Sequence, residues 1–351
     1  MVPTMSPATD WKEIVLPDED ARLLRHAEAL RDIQRRSAAR TGKVQRALHA
    51  KANAGLLAEL TVLPNLAEYA RVGLFAAPAT YRAYVRFSNG SGQVQHDEKP
   101  DVRGVAVKVL GVPGKKIIPG LEDATTQDFL LIKSAATPFR NADEFVALVC
   151  ATERPALAIP RLIAALGVRR AFSLVKKLAG GLGGKVASLA TLPYYSALPI
   201  KYGPYACHYA LAPQDRAGPS GAPYATSPAS RQHLGEELAE RLRRGPVTYD
   251  FRVQFYVDDR RTPIEDASVE WLETDAPFLT VARLTLLQQD TSSSRGRRVA
   301  DLCEGLSFDP WHTTADFRPL GNMMRARSHA YRLSTQERGA LPEPDGTEPL
   351  G

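Results

Sequence analysis

Cysteine is scarce in this chain and forms no recognisable pattern. The 351 residues include three cysteines, Cys150, Cys207 and Cys303. They are odd in number and far apart, and no two of them form the closely spaced pair of a redox or zinc site. This excludes the disulfide framework of small secreted proteins and favours a reducing compartment.

Long apolar runs and a strong charge excess are also absent. No stretch reaches the length of a membrane span, and the N-terminal residues lack the apolar core of a signal peptide. The formal net charge is +6, from 45 basic and 39 acidic residues. The basic residues are dispersed, whereas nucleic-acid-binding proteins cluster theirs. We therefore expect a cytoplasmic protein with no nucleic-acid or membrane partner.

The composition is that of a globular protein, with 44% hydrophobic and 24% charged residues. We expect residues 1–18 to form a Pro-rich N-terminal segment, residues 19–339 a single domain, and residues 340–351 a flexible C-terminal tail. Strand patterns occur before and after a helical region at about 141–190. This order predicts an α+β fold in which both halves of the chain build one antiparallel sheet or barrel.

Alternating residues identify the strands. In "YRAYVRFSNG", Tyr84, Arg86 and Ser88 share one face, and Val85 and Phe87 the other. Further strands are predicted in "LLAELTVL", "RGVAVKVLG", "QDFLLIK", "YDFRVQFYVD" and "PFLTVARLTLL".

The remaining segments are predicted from their spacing and composition. Residues 20–47 have helical spacing. Residues 212–230 are rich in Pro, Gly and Ser and predict a long flexible loop. In residues 292–320 the apolar residues show neither helical nor strand spacing, which predicts an irregular segment.

A helix is predicted over "GNMMRARSHAYRLSTQERG", residues 321–339. Its Arg327, Tyr331 and Arg338 project within a stripe about 40° wide. Nearby positive charge favours the phenolate form and would lower the pKa of Tyr331. A phenolate is an anionic oxygen ligand of the kind that binds haem iron. The alternative is a buried tyrosine that makes one hydrogen bond.

Arg46 and His49 stand three residues apart in "VQRALHAKANAG". A histidine there can take and return a peroxide proton as a general base, although an exposed or structurally satisfied histidine fits too. Arg86 and Arg103 lie in predicted strands. Their planar guanidinium groups suit paired contacts with carboxylates such as haem propionates, unless they are outward, solvated charges.

Several motifs occur in a recognisable order: "RALHAK", "VRFSNGSG", "PDVRGVAVKV", "TQDFLLI", "FRVQFYVD", "LSFDP" and "RSHAYRLSTQER". In this set and order the sequence resembles the haem catalase superfamily, especially its small, catalase-related (catalase-like peroxidase) branch. The resemblance runs from about residue 40 to residue 339.

The resemblance implies a catalase-like antiparallel β-barrel with surrounding helices that encloses haem b, with one haem iron bound through a tyrosine. It also implies the roles of individual residues. These are Tyr331 as axial iron ligand, Arg327 as its hydrogen-bond donor, His49 as distal base, Arg338 at the haem edge, and Arg46, Arg86 and Arg103 at the propionates.

One departure from the resemblance concerns the peroxide-binding side. Catalases place an asparagine there, and here the corresponding neighbourhood reads "LLIKSAATPFRN". Lys133 or Ser134 is expected to replace the asparagine. Neither holds the outer peroxide oxygen as a neutral amide would, so we expect weak dismutation of hydrogen peroxide.

We therefore expect a haem-dependent enzyme that uses peroxide, of the catalase-like peroxidase type, with a small organic molecule as a further substrate. Isomerisation or cleavage of an organic hydroperoxide, or an oxidative tailoring reaction, is the alternative enzymatic function. A haem-binding sensor is the non-enzymatic one, which the retained His49 disfavours. The sequence allows a homo-oligomer without specifying one.

Overall fold

The chain forms nine strands and seven α-helices within the residues that the computed structural model describes, 6–181, 186–214 and 230–349. The strands are β1 (Ala52–Val62), β2 (Thr80–Asn89), β3 (Arg103–Leu110), β4 (Thr126–Ile132), β5 (Tyr194–Tyr195), β6 (Ile200–Tyr202), β7 (Tyr205–Pro213), β8 (Val247–Phe255) and β9 (Phe278–Leu286). The helices are α1 (Glu19–Thr41), α2 (Ala142–Thr152), α3 (Ala158–Leu166), α4 (Val168–Gly181), α5 (His233–Arg244), α6 (Ser294–Gly305) and α7 (Asn322–Arg338).

All strand pairs are antiparallel, and they close into a barrel. The strand order is β5-β4-β3-β2-β1-β9-β8-β7-β6, and an additional pairing of β5 with β7 joins the two ends. Strand β1 pairs with β2 on one side and with β9 on the other. The first and second halves of the chain therefore build one barrel, and the predicted α+β fold with an antiparallel barrel is confirmed.

The two faces of β2 differ as its sequence predicts. Val85 and Phe87 lie in the large apolar core inside the barrel. Tyr84 faces outward and belongs to a separate apolar cluster. Arg86 and Ser88 lie two and four residues after Tyr84, and every second side chain of a strand points to the same side. Both side chains therefore lie on the outer face.

Helix α6 corrects the prediction of an irregular segment over residues 292–320. Its Ser293 cap accepts a hydrogen bond from the Gly296 amide. Val299 and Cys303 are buried in the outer cluster. The helix packs so closely on β1 that a Cβ at Gly55 would lie 2.7 Å from the Cβ of Cys303. The Ser cap and the four-residue spacing of Val299 and Cys303 were the available signals.

The other predicted elements are largely confirmed. Strands β1 to β4, β8 and β9 occupy the predicted segments, whereas α1 ends at Thr41, six residues before its predicted end. Asn141 caps α2 by accepting from the Glu144 amide. Most of the predicted loop at 212–230 lies outside the described residues. Within the described ranges, no helix is long and apolar enough to cross a membrane. The predicted domain boundaries stay predictions.

Residues 340–349 lie against the outer face of the barrel. The Glu348 carboxylate accepts from the Tyr84 hydroxyl at 2.6 Å, and the Glu343 carboxylate accepts from the Lys108 ammonium at 2.7 Å. Lys108 is fully buried and also pairs with Asp128 at 2.7 Å. A buried cation of this kind is tolerated only because carboxylates surround it.

The Lys108 contacts predict a large effect on stability. Lys108→Ala would leave Asp128 and Glu343 as neighbouring, uncompensated carboxylates, and we expect the free energy of unfolding to fall by about 3–5 kcal/mol. Chemical denaturation measures the change. Lys115→Ala is the matched control, because the Lys115 side chain is 83% exposed and its loss should leave stability unchanged. Equal stability of the two variants would contradict the prediction.

Candidate active site

Arg327 and Tyr331 lie on one face of α7, as predicted from their spacing. The helix ends at Gly339, whose left-handed backbone (φ 58°) closes it. The Cζ atom of Arg327 lies 6.0 Å from the centroid of the Tyr331 ring. The indole nitrogen of Trp311 donates to the Met324 carbonyl at 2.7 Å and so ties the first turn of the helix to the segment before it.

The pKa of Tyr331 departs from the sequence-based prediction. Burial raises it most, Arg327 and Arg46 lower it, and Asp309 raises it, so that the pKa lies above its ordinary value. The expectation that arginines would lower the pKa overall was wrong, because burial outweighs them. The protein groups alone therefore leave Tyr331 a neutral phenol. The phenolate form needs a further positive charge at its oxygen, such as a metal ion.

His49 lies just before β1 in a left-handed backbone conformation (φ 55°). The His49 amide donates to the Gly90 carbonyl at 3.0 Å, and the next amide donates to the Ser91 carbonyl at 3.1 Å. The His49 carbonyl accepts from Arg86 at 3.0 Å. These bonds hold the loop in a conformation that few residues other than glycine adopt readily.

The His49 imidazole is held against the outer face of the barrel. Its Nδ1 lies 2.9 Å from the Ser88 hydroxyl on β2. On the neighbouring strand β3, a Cβ at Gly104 would lie 2.6 Å from His49 Cε1 and 2.8 Å from Nδ1. Only glycine at position 104 leaves room for the ring in this place.

Burial and the surrounding positive charge together keep His49 neutral. Burial lowers the pKa of His49 most, followed by Arg86, Arg327 and Arg46, to about 3. An ordinary histidine pKa is about 6.5. His49 is thus a neutral base over the whole physiological range. Because Arg327 and Arg46 act on the pKa of both His49 and Tyr331, the two groups border the same region.

Three arginines meet at the end of α6, around Glu304. The Glu304 carboxylate accepts from Arg46 at 2.7 Å and from Arg86 at 2.9 Å. Arg338, from the last turn of α7, donates to the Glu304 carbonyl at 3.0 Å and to the Leu306 carbonyl at 2.9 Å. The structure therefore brings together Arg46, Arg86 and Arg338, which were predicted from three distant parts of the chain.

This cluster contains more positive than negative charge. Burial lowers the pKa of Arg46 most, Arg86 and Arg338 lower it further, and Glu304 opposes them, so that the pKa falls to about 9. A single carboxylate faces three guanidinium groups, an arrangement that suits additional anionic groups. The two carboxylates of haem fit this requirement. Tyr331 fits as its iron ligand and His49 as a base on the peroxide side.

Arg103 lies elsewhere. Its side chain points to the same side of β3 as Val105 and Val107, because every second residue of a strand faces the same way. The side chains of both valines lie in the core inside the barrel. Its Nη2 donates to the Asp97 and Lys99 carbonyls, at 2.6 and 3.3 Å. The structure thus does not bring Arg103 to the Glu304 cluster, and its propionate role is left without structural support.

Lys133 also lies close to Arg103. Its amide donates to the Arg103 carbonyl at 2.9 Å. Burial lowers the pKa of Lys133 most, Arg103 lowers it too, and Asp101 opposes them. The charges that act on His49 are arginines, and Lys133 is not among them. The replacement of the asparagine by Lys133 or Ser134 stays a prediction.

Sequence reasoning missed three residues of the site. Ser88 was predicted to share a face of β2 with Arg86, but its contact with His49 was not foreseen. Gly104 was noted only as part of a motif. Glu304 lies in the helix that was predicted to be irregular. Arg46 and Arg86 had no predicted carboxylate partner within the chain, and this was the signal that an acidic residue was needed.

No family model matches the chain. A catalase-related peroxidase of Mycolicibacterium paratuberculosis is 30% identical over 309 residues, which cover 78% of this chain and 86% of the relative.

Solved structures show the same fold. A bacterial catalase matches 99% of this chain with a TM-score of 0.64 and 16% identity, and this chain covers 65% of that one. Catalase A from Saccharomyces cerevisiae matches 100% of this chain with a TM-score of 0.63 and 14% identity, over 70% of its own length. On the sequence match and this shared architecture, the chain belongs to the catalase superfamily, within its small branch of catalase-related peroxidases.

Proposed function

We propose that the protein is a haem-dependent peroxidase that uses hydrogen peroxide or an organic hydroperoxide to oxidise a small organic molecule. The observation that carries this proposal is the neutral His49 base, held by Ser88 and Gly104, beside an arginine cluster and the Tyr331 phenol. A protein that only stores or senses haem needs no such base. The cofactor proposed is haem b, and the site is proposed to work in the cytoplasm.

The site residues would each hold a different part of the cofactor. Tyr331 would bind the haem iron. Arg327 would hold the phenolate form of Tyr331 by its positive charge. Arg46, Arg86 and Arg338 would hold the propionates. Haem, when bound, supplies the redox chemistry of peroxide reduction.

His49 would transfer the proton of the peroxide. When the Ser88 hydroxyl accepts a hydrogen bond from Nδ1–H, the lone pair of the imidazole lies on Nε2. Nε2 can then accept the proton from the bound peroxide and return it to the leaving oxygen. Because burial and the surrounding arginines keep the pKa of His49 low, the imidazole can accept a proton without first losing one.

We further propose that oxidation of an organic donor exceeds dismutation of hydrogen peroxide. The relative's name, catalase-related peroxidase, supports this preference. The sequence also supports it, because Lys133 or Ser134 is expected where catalases place the asparagine that orients the outer peroxide oxygen.

Removal of the Tyr331 hydroxyl tests the cofactor site. Tyr331→Phe takes away the iron ligand, so we expect the affinity for haem to fall roughly 100-fold or more. Titration of the cofactor-free protein with haemin, followed by visible absorption, measures it. Tyr81→Phe is the matched control, since the Tyr81 hydroxyl makes only a long 3.4 Å bond to the Leu74 carbonyl. Unchanged affinity and spectrum in Tyr331→Phe would contradict the assignment.

The peroxidase reaction itself tests the role of His49. With hydrogen peroxide and guaiacol, dye oxidation should clearly exceed oxygen evolution. His49→Gln should lower dye oxidation about 100-fold or more. The control is His329→Gln on α7, where the imidazole contacts Asp20 at 2.9 Å instead of the site.

The same reaction has a predicted pH dependence. With a pKa of about 3, His49 keeps its proton-accepting form at all higher pH values. The rate of peroxide consumption should therefore stay level from about pH 8 down to about pH 5, whereas an ordinary histidine would lose activity below about pH 6.5. Oxygen evolution above dye oxidation, or a loss of rate near pH 6.5, would count against the proposal.

Substitution at Gly104 tests the placement of the imidazole. In Gly104→Ala the new Cβ must displace the His49 ring, and a small displacement of a catalytic group can lower the rate about 100-fold. We expect kcat/KM for peroxide to fall roughly 10- to 100-fold with unchanged haem affinity. A Cβ at Gly245 would meet nothing within 4 Å, so Gly245→Ala should behave as the wild type. Full activity of Gly104→Ala would show that the ring is not confined there.

A further inference from the structure

Helix α4 has an outer face on which apolar and basic side chains lie side by side. Val168 and Phe172 are 60% and 62% exposed, and Arg169, Lys176 and Lys177 are exposed too. Successive residues of an α-helix are about 100° apart. Val168, Phe172 and Lys176 therefore form one stripe, with Arg169 beside it and Lys177 further round. We call these five residues the basic face of α4.

The opposite side of α4 fixes the helix to the protein. Ala171 and Leu174 are buried in an apolar cluster that also contains Leu162 of α3. The Arg170 side chain donates to the Glu144 carboxylate of α2 at 2.7 Å. The helix is therefore ordered before any partner binds, and a partner of the basic face avoids the free-energy cost of ordering it.

The charged residues of this part of the chain are all of one sign. Residues 154–214 contain eight Lys or Arg residues and no Asp or Glu, although the whole chain has 45 basic and 39 acidic residues. Arg170 pairs with Glu144, whereas no ion pair within the described ranges includes Arg169, Lys176 or Lys177. The positive charge of the basic face therefore favours an anionic partner.

The mixture of side chains distinguishes between the possible anionic partners. Nucleic acid would use the cations, because its phosphates accept hydrogen bonds from Lys and Arg, but Val168 and Phe172 would gain little burial along a phosphate backbone. A second copy of the chain, placed symmetrically on this face, would bring like cations together. An anionic lipid surface suits both kinds of side chain, since its headgroups attract the cations and its acyl boundary takes up the apolar groups.

We propose that the basic face of α4 binds the surface of a membrane rich in anionic phospholipids. Phe172 and Val168 would enter the boundary between headgroups and acyl chains, and Arg169, Lys176 and Lys177 would contact headgroup phosphates. The helix would lie on the membrane without crossing it.

This proposal replaces the sequence-based expectation of no membrane partner. That expectation rested on dispersed basic residues and on the lack of a spanning segment. The fold places three unpaired cations and two exposed apolar side chains on one described helix, and a contact with the membrane surface requires no span. The predicted residues of the active site lie outside α4, so the proposal is independent of the peroxidase function.

Co-sedimentation with lipid vesicles tests the charge of the face. The purified protein should bind vesicles made of equal parts phosphatidylglycerol and phosphatidylcholine, and should not bind vesicles of phosphatidylcholine alone. Added salt should weaken the binding, because it screens the attraction. In the triple variant Arg169→Gln, Lys176→Gln, Lys177→Gln, the affinity for the anionic vesicles should fall roughly 100-fold.

A matched variant with the same loss of charge separates the face from net charge. It carries Lys12→Gln, Lys115→Gln and Arg295→Gln, three exposed positions on other parts of the chain. Its affinity for the anionic vesicles should stay within about threefold of the wild type, because distant charges are screened. Thermal melting and guaiacol oxidation should be unchanged in both triple variants.

Phe172 tests whether the face enters the lipid. Phe172→Ala should lower the affinity for the anionic vesicles about 10-fold. Leu272→Ala is its control, because Leu272 is also an exposed apolar residue, at 52%. In Phe172→Trp the added fluorescence should shift to the blue with anionic vesicles, and lipids with brominated acyl chains should quench it.

Three results would overturn the proposal. The first is equal binding to vesicles with and without phosphatidylglycerol. The second is an equal loss of affinity in the two triple variants. The third is an unchanged affinity in Phe172→Ala, together with unquenched fluorescence in Phe172→Trp, which would leave a merely electrostatic contact. If a DNA duplex bound as tightly as the anionic vesicles, with no effect of Phe172→Ala on either, a nucleic-acid surface would replace the membrane surface.

Discussion

The contact between Glu304 and three arginines holds the candidate active site together. Arg46 comes from the loop before β1, Arg86 from β2 and Arg338 from the end of α7, and all three donate to Glu304 or to the carbonyls that follow it. These elements also carry His49 and Tyr331. The Glu304 carboxylate offsets the mutual repulsion of these closely spaced cations, and the contacts hold together the segments that carry His49 and Tyr331.

The same positive charge has opposite consequences for the two reactive groups. It adds to burial in keeping His49 neutral, because a further cation among the arginines is unfavourable. It favours an anionic Tyr331, but burial of the phenol outweighs that effect. The protein groups alone therefore make His49 a neutral base but do not make Tyr331 an anion. A metal-bearing cofactor would bring the positive charge that the phenolate requires.

Local patterns predicted the parts of this site that depend on local geometry. The spacing of Arg327 and Tyr331 predicted their shared face of α7, and the alternation of β2 predicted that Arg86 and Ser88 share one face of the strand. Contacts between distant segments were not predictable in this way. Gly104 is required by the ring of His49, and α6 forms because its apolar face packs on β1. The direction of the Tyr331 pKa shift depends on burial, which no spacing reveals.

The chain order of the site has a consequence for biosynthesis. The nine strands of the described barrel end at Leu286, whereas Glu304 lies 258 residues beyond its partner Arg46, and Arg338 follows later still. The loop-closure entropy of such distant contacts is overcome only after the barrel has ordered the segments between them. A ribosome-bound chain can thus complete its barrel strands while the site residues of α6 and α7 are still untranslated. On the proposed function, haem capture would be a late event, because a chain released before α7 would lack Tyr331, the proposed iron ligand.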